Sequence, residues 1–148
     1  MAINTRKVVI GGLASGVVMI VVNILGQLAL MDRVRREMDV WVPGSAERTT
    51  GGSGTIVIRI ITTFLLGVLL VWLYAAVRPR FGPGPRTAAY VAIAIWIISS
   101  IFHSDYLLIG MLSGTTWWLF AVFQLANLLL ATWVGARIYS EGDALSSA

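Results

Sequence analysis

The segment SSIFHSDYLLIG, residues 99–110, holds the chain's single histidine, His103, two positions before Asp105 in otherwise apolar surroundings. An imidazole and a carboxylate in such a setting can do three kinds of work. They can join a hydrogen-bonded network between helices, with Ser99 and Gln27 as partners of His103 and with Arg59 as counter-charge to Asp105. They can form a site for a proton or a small solute, since an ionisable group in an apolar span is costly unless it is used. Alternatively, the imidazole can act as the single axial ligand of a pigment or haem, although one histidine excludes a two-histidine haem within the chain. Other chemistry finds no support. The absence of cysteine removes disulfide, thiolate and cysteine-metal chemistry. Zinc-ligand spacing and the phosphate-loop, zincin and serine-hydrolase motifs are absent too, so an enzyme is not expected.

The elements that position these residues follow from composition. The chain has 148 residues, 57% hydrophobic and 12% charged, well short of the roughly 25% charged of a soluble domain. Four apolar stretches, 8–30, 56–77, 88–108 and 117–138, are each long enough to cross a ~30 Å hydrocarbon core. The expected fold is an all-α integral membrane protein, an antiparallel bundle of four transmembrane helices forming one domain over residues 1–148. The first stretch follows Arg6 and Lys7 as a signal peptide would. It is too long for such an apolar region and lacks a small-x-small cleavage site, so a retained helix is expected.

Between the first two spans, Met31, Val34, Met38 and Trp41 recur at helical steps among charged residues. That pattern predicts a short interfacial amphipathic helix after helix 1, followed by a flexible linker, PGSAERTTGGSG. The segment RPRFGPGPR, residues 78–86, is expected to end the second helix, and Ser113, Thr115 or Thr116 to cap the fourth. Trp41, Tyr106, Trp117 and Trp118 at one end, and Tyr74, Tyr90, Trp133 and Tyr139 at the other, suit interfacial belts. The C-terminal SEGDALSSA is expected to be a mobile polar tail.

Charge predicts orientation. Arg6, Lys7, Arg78, Arg80, Arg86 and Arg137 fall on one side, against Arg33, Arg35, Arg36 and Arg48 on the other. The excess places both termini in the cytoplasm. Topology and anionic lipid account for the positive charge, with no nucleic-acid partner.

Small and polar residues mark the packing faces of helices in lipid. Gly12, Gly16, Asn23 and Gln27 line up on the first helix, and Ala88, Ala92, Ser99 and His103 share that spacing on the third. Arg59, Thr63 and Gly67 on the second helix, and Gln124, Asn127, Ala131 and Gly135 on the fourth, complete the set. The small residues cluster toward the cytoplasmic half and the polar ones toward the outer half. This order predicts a bundle closed on the inside, with a polar cluster of Asn23, Gln27, Arg59, Ser99, His103, Asp105, Gln124 and Asn127 in a cleft opening outward. The alternative reading makes Asn23, Gln27, Gln124 and Asn127 interhelical glue and lets Arg59 snorkel to headgroups.

The segments LLVWLYAAVRPRFGPGPRTA and TRKVVIGGLASGVVMIVVN resemble a set of small four-helix bacterial membrane proteins. The resemblance implies a bacterial inner-membrane protein and carries no activity and no functional residue. The function expected is a non-enzymatic membrane subunit or scaffold, packed against a larger membrane complex or a second copy of itself. A protein that binds or transports a small solute, lipid or proton through the outer cleft is the contrasting expectation. A pigment- or haem-holding subunit of an electron-transfer or light-harvesting complex, with His103 as axial ligand, is a third.

Overall fold

The computed structural model describes residues 3–43 and 53–145. Among the described residues there are four helices: α1 (Thr5–Asp39), α2 (Ser53–Phe81), α3 (Pro85–Leu108) and α4 (Gly114–Leu145). Each is long and apolar enough to cross a bilayer. Successive helices run antiparallel, and α1 packs against α2 and α4 while α3 packs against α4 and, less extensively, α2; α1 and α3 do not meet.

The amphipathic segment predicted after the first span is not a separate helix. Residues 31–39 continue α1 without interruption, because neither proline nor glycine lies between Gly26 and Asp39 to break the backbone hydrogen bonding. Most of the predicted linker lies outside the described residues, and Ser53 and Gly54 already belong to α2. At its far end α2 runs through Pro79 to Phe81, beyond the expected stop, since a proline in the last turn forfeits only its own hydrogen bond. The helix ends where Gly82 takes a φ of 80°, a conformation that costs glycine little. Most of the predicted C-terminal tail is likewise helical, α4 extending to Leu145, while residues 146–148 lie outside the described part.

The core sits at the end of the bundle that carries the termini. Gly11 and Ser15 of α1 face α4, where the Ser15 hydroxyl donates to the Ala131 carbonyl at 2.8 Å. Gly12 and Gly16 face α2, with Gly67 set against them. A Cβ on Gly67 would meet the Gly12 carbonyl oxygen and come within 2.8 Å of the Gly16 nitrogen, so only hydrogen is tolerated there. Tyr74 and Tyr139, expected in an interfacial belt, are instead buried. Their rings stack edge-on at 6.2 Å, and the Tyr74 hydroxyl accepts from the Gly84 amide at 3.1 Å. A buried phenol finds a partner in this way, and here it ties the α2–α3 turn to the core.

Away from this end the bundle opens. The buried residues of α3 are Thr87, Ala88, Val91 and Ala92, all in its first turns. In α2 no described residue before Gly67 is buried.

Overpacking of ~1–3 kcal/mol is expected for Gly67→Ala, read as a thermal midpoint in detergent lowered by several degrees. Gly54→Ala, where a Cβ meets nothing within 4 Å, should show no loss. Equal midpoints for the two variants would mean that close approach of α1 and α2 is not what holds them.

Candidate functional site

Where α2 diverges, a groove of about 700 Å³ lies between α1, α2 and α4. Its α1 wall carries Asn23, Gln27, Met31 and Arg35, a run at four-residue steps that stays on one side of the helix. Arg59, Thr62 and Thr63 come from α2, Gln124 and Phe123 from α4, and no acidic residue lines the space.

The polar atoms of the groove divide into engaged and unengaged groups. The Thr62 and Thr63 hydroxyls both donate to the Arg59 carbonyl, at 3.0 and 2.7 Å, so they serve α2 itself. Asn127, fully buried, donates through Nδ2 to Asn23 Oδ1 at 2.9 Å. This pair joins α1 to α4 behind the groove wall, and Asn127 Oδ1 has no partner among the described residues. Arg35 Nε is buried without a partner, and neither Arg35 nor Arg59 has an ion-pair partner among the described residues.

The expected polar cluster is therefore divided. Asn23, Gln27, Arg59 and Gln124 line the groove, and Asn127 lies beneath it. Ser99 and His103 line a much smaller cavity between α3 and α4, which shares Phe120 and Gln124 with the groove. His103 is exposed and pairs through Nδ1 with the Ser99 carbonyl at 2.7 Å. A carbonyl only accepts, so Nδ1 carries the proton. The expected link from His103 to Gln27 does not form, because α1 and α3 are not in contact. Asp105 lines neither space and makes no ion pair with Arg59; its carbonyl accepts from Ile109 where α3 ends. The packing residues Gly12, Gly16, Gly67, Ala88, Ala92, Ala131 and Gly135 are all buried.

Sequence reasoning misses Arg35, because a first span that stops at Leu30 ends the stripe Gly12–Gly16–Asn23–Gln27 before Met31 and Arg35 continue it. It also misses a latch beside the groove. Glu37 accepts hydrogen bonds from the Ser113 amide at 2.7 Å and from the Ser113 hydroxyl at 2.9 Å. The Thr116 hydroxyl donates to Glu37 as well and accepts from Arg33 Nε at 2.9 Å. Glu37 thus serves the open amide of the residue that precedes α4, where a carboxylate also meets the helix dipole favourably. The signal was faint, since capping from another helix leaves no local spacing to find.

Glu37 lies beyond the apolar run that ends at Leu30. Burial works against its ionisation, but hydrogen bonds from Thr116 and Ser113 and the Arg33 charge outweigh it, holding the carboxyl below its ordinary 4.5. Among the described residues no three His, Cys, Asp or Glu side chains are grouped to hold a metal.

Compared with family models, with curated proteins and with solved structures, the chain matches none.

A carboxyl whose pKa is lowered on folding contributes stability above its unfolded pKa and loses it as the pH falls through the folded one. The thermal midpoint in detergent should therefore fall as the pH drops below about 4.5. Glu37→Gln should lower the midpoint at pH 7, by about 1 kcal/mol of stability, and remove much of the acid-side slope. A variant with unchanged slope would show that other carboxyls govern it.

Proposed function

We propose that the chain is a non-enzymatic, multi-pass protein of the bacterial inner membrane, with both termini in the cytoplasm, and that it acts by binding an amphiphilic small molecule in the groove between α1, α2 and α4. The observation that carries this reading is the groove's composition: guanidinium and amide groups without a partner among the described residues, set among aliphatic and aromatic side chains. Concave, mostly apolar sites with a few convergent polar groups are the usual form of a small-molecule site. In a bilayer, polar groups without partners are retained where they serve a ligand or a pathway.

The subunit role has less in its favour. Exposed apolar side chains such as Ile97, Ile101 and Phe102 on α3 suit acyl chains as well as they suit a neighbouring protein. The orientation is supported by the six cations of Arg6, Lys7, Arg78, Arg80, Arg86 and Arg137, against Arg33, Arg35, Arg36 and Arg48 in the sequence between the first two spans.

Two measurements test this. Because the chain has no cysteine, single cysteines can report sidedness in intact cells: an impermeant thiol reagent should label Val42→Cys and spare Arg80→Cys, and the reverse would invert the orientation. Native mass spectrometry of protein extracted mildly from its own membranes should find a bound small molecule that Thr63→Phe, which fills the groove, expels. A protein free of adducts, or adducts indifferent to Thr63→Phe, would refute the groove as a binding site.

A further inference from the structure

We infer that the deep end of the groove is a carboxylate site: a lipophilic organic acid sets its carboxylate on Arg59 among the amides of Asn23, Gln27 and Gln124, with its apolar body against the aliphatic and aromatic walls. This rests on the groove being the binding site proposed above.

Helix contacts bring these four side chains to one depth. Gly12 lies against Val68 and Gly16 against Phe64, so α2 descends one residue for each that α1 climbs. Nearer the start of α2, Arg59 is therefore level with about Val21. On α4, Phe123 lies against Gly26 and Asn127 bonds Asn23, which puts Gln124 level with about Leu25. Helical side chains lean toward the N-terminus of their own helix, so Arg59 reaches up toward the level of Asn23 while Gln27 reaches down to it. Arg35 is a separate feature at the mouth, about 20 Å further along α1.

The chemistry at this depth is one-sided. Asn23 Oδ1 is occupied by Asn127 Nδ2 at 2.9 Å, so Asn23 offers the groove its amide donors. The Arg59 guanidinium can only donate, and like the Gln27 and Gln124 amides it has no partner among the described residues. No carboxylate lines the space. A cation in apolar surroundings is costly until an anion meets it, and the guanidinium fork matches the two oxygens of a carboxylate.

Charge and depth narrow the class of anion. A single cation stands at this level, so one negative charge balances it, and a phosphate monoester would leave a second uncompensated. A phosphodiester lipid keeps its phosphate in the headgroup layer, whereas Arg59 lies about 13 Å below Leu30, where the first apolar run ends. A carboxylic acid reaches that depth uncharged, its proton passing to water as the carboxylate forms on Arg59. Ile20, Ile24, Ile56, Ile60 and Phe123 around the polar groups then cover its apolar body.

The test titrates the full chain, in an uncharged detergent at about pH 8, with decanoate, decanol and acetate, following binding by calorimetry and by the thermal midpoint. Decanoate should bind about tenfold tighter than decanol, a difference of about 1.4 kcal/mol, and acetate at millimolar concentration should not displace it. Arg59→Gln should bring decanoate down to the affinity of decanol, Arg59→Lys should keep part of the preference, and Arg35→Gln should leave it unchanged. Gln27→Leu should weaken decanoate several-fold and decanol hardly at all. Equal affinities for decanoate and decanol, both lost in Thr63→Phe, would overturn the carboxylate assignment and leave the groove as a binding site. A preference that survives Arg59→Gln would overturn the assignment to Arg59, and its loss in Arg35→Gln would place the anion at the mouth instead. Displacement of decanoate by acetate would assign Arg59 to a small free anion. Binding of both probes untouched by Thr63→Phe would remove the groove itself.

Discussion

The structure depends on how closely α1 approaches two neighbours at once. Gly11 and Gly12 are adjacent, as are Ser15 and Gly16, and adjacent residues on a helix point ~100° apart. The doublet repeated after four residues therefore makes two smooth faces, one against Gly135 and Ala131 of α4, the other against Gly67 and Val68 of α2. Lipid offers no hydrophobic drive to bring helices together, so dispersion between closely approaching backbones must supply most of the attraction. The buried Ser15 hydroxyl adds one bond across the seam.

That seam also accounts for the opening at the other end. Beyond Gly16 the small residues thin out along α1, and α4 is still met at Gly26, against the Phe123 ring, and at the Asn23–Asn127 pair. On α2 the close approach runs from Val68 through Gly67 to Phe64, which lies against Gly16, and residues 54–62 before it are exposed. The α1–α4 pair stays joined as far as the Glu37 latch, while the α1–α2 seam ends near Phe64. The groove is the space left by unequal zippering and needs no special element to shape it.

Much of this could be read from the sequence, and the failures have physical causes. The four apolar runs, the small-residue stripe and the separation of small from polar positions are local periodic signals, which a 3.6-residue helix turns directly into faces. Helix ends were harder: charge between Met31 and Asp39 suggested a change of element, yet charge alone does not interrupt a helix. His103 and Gln27 were paired on depth, a coordinate that says nothing of which helices are diagonal in the bundle. Tyr74 and Tyr139 lie where belt residues would lie, and only the turn packed over them makes them core. Glu37 serves another helix's amide, a relation between positions 37 and 113 that no single stretch records.

One consequence follows from the bare first half of α2. A wall fastened at its base and free of core contacts above it is mechanically soft, because bending it disrupts little packing. The opposite wall, α1 braced to α4, is stiff by the same measure. A groove with one compliant and one rigid side can change its width without disturbing the seam at its base.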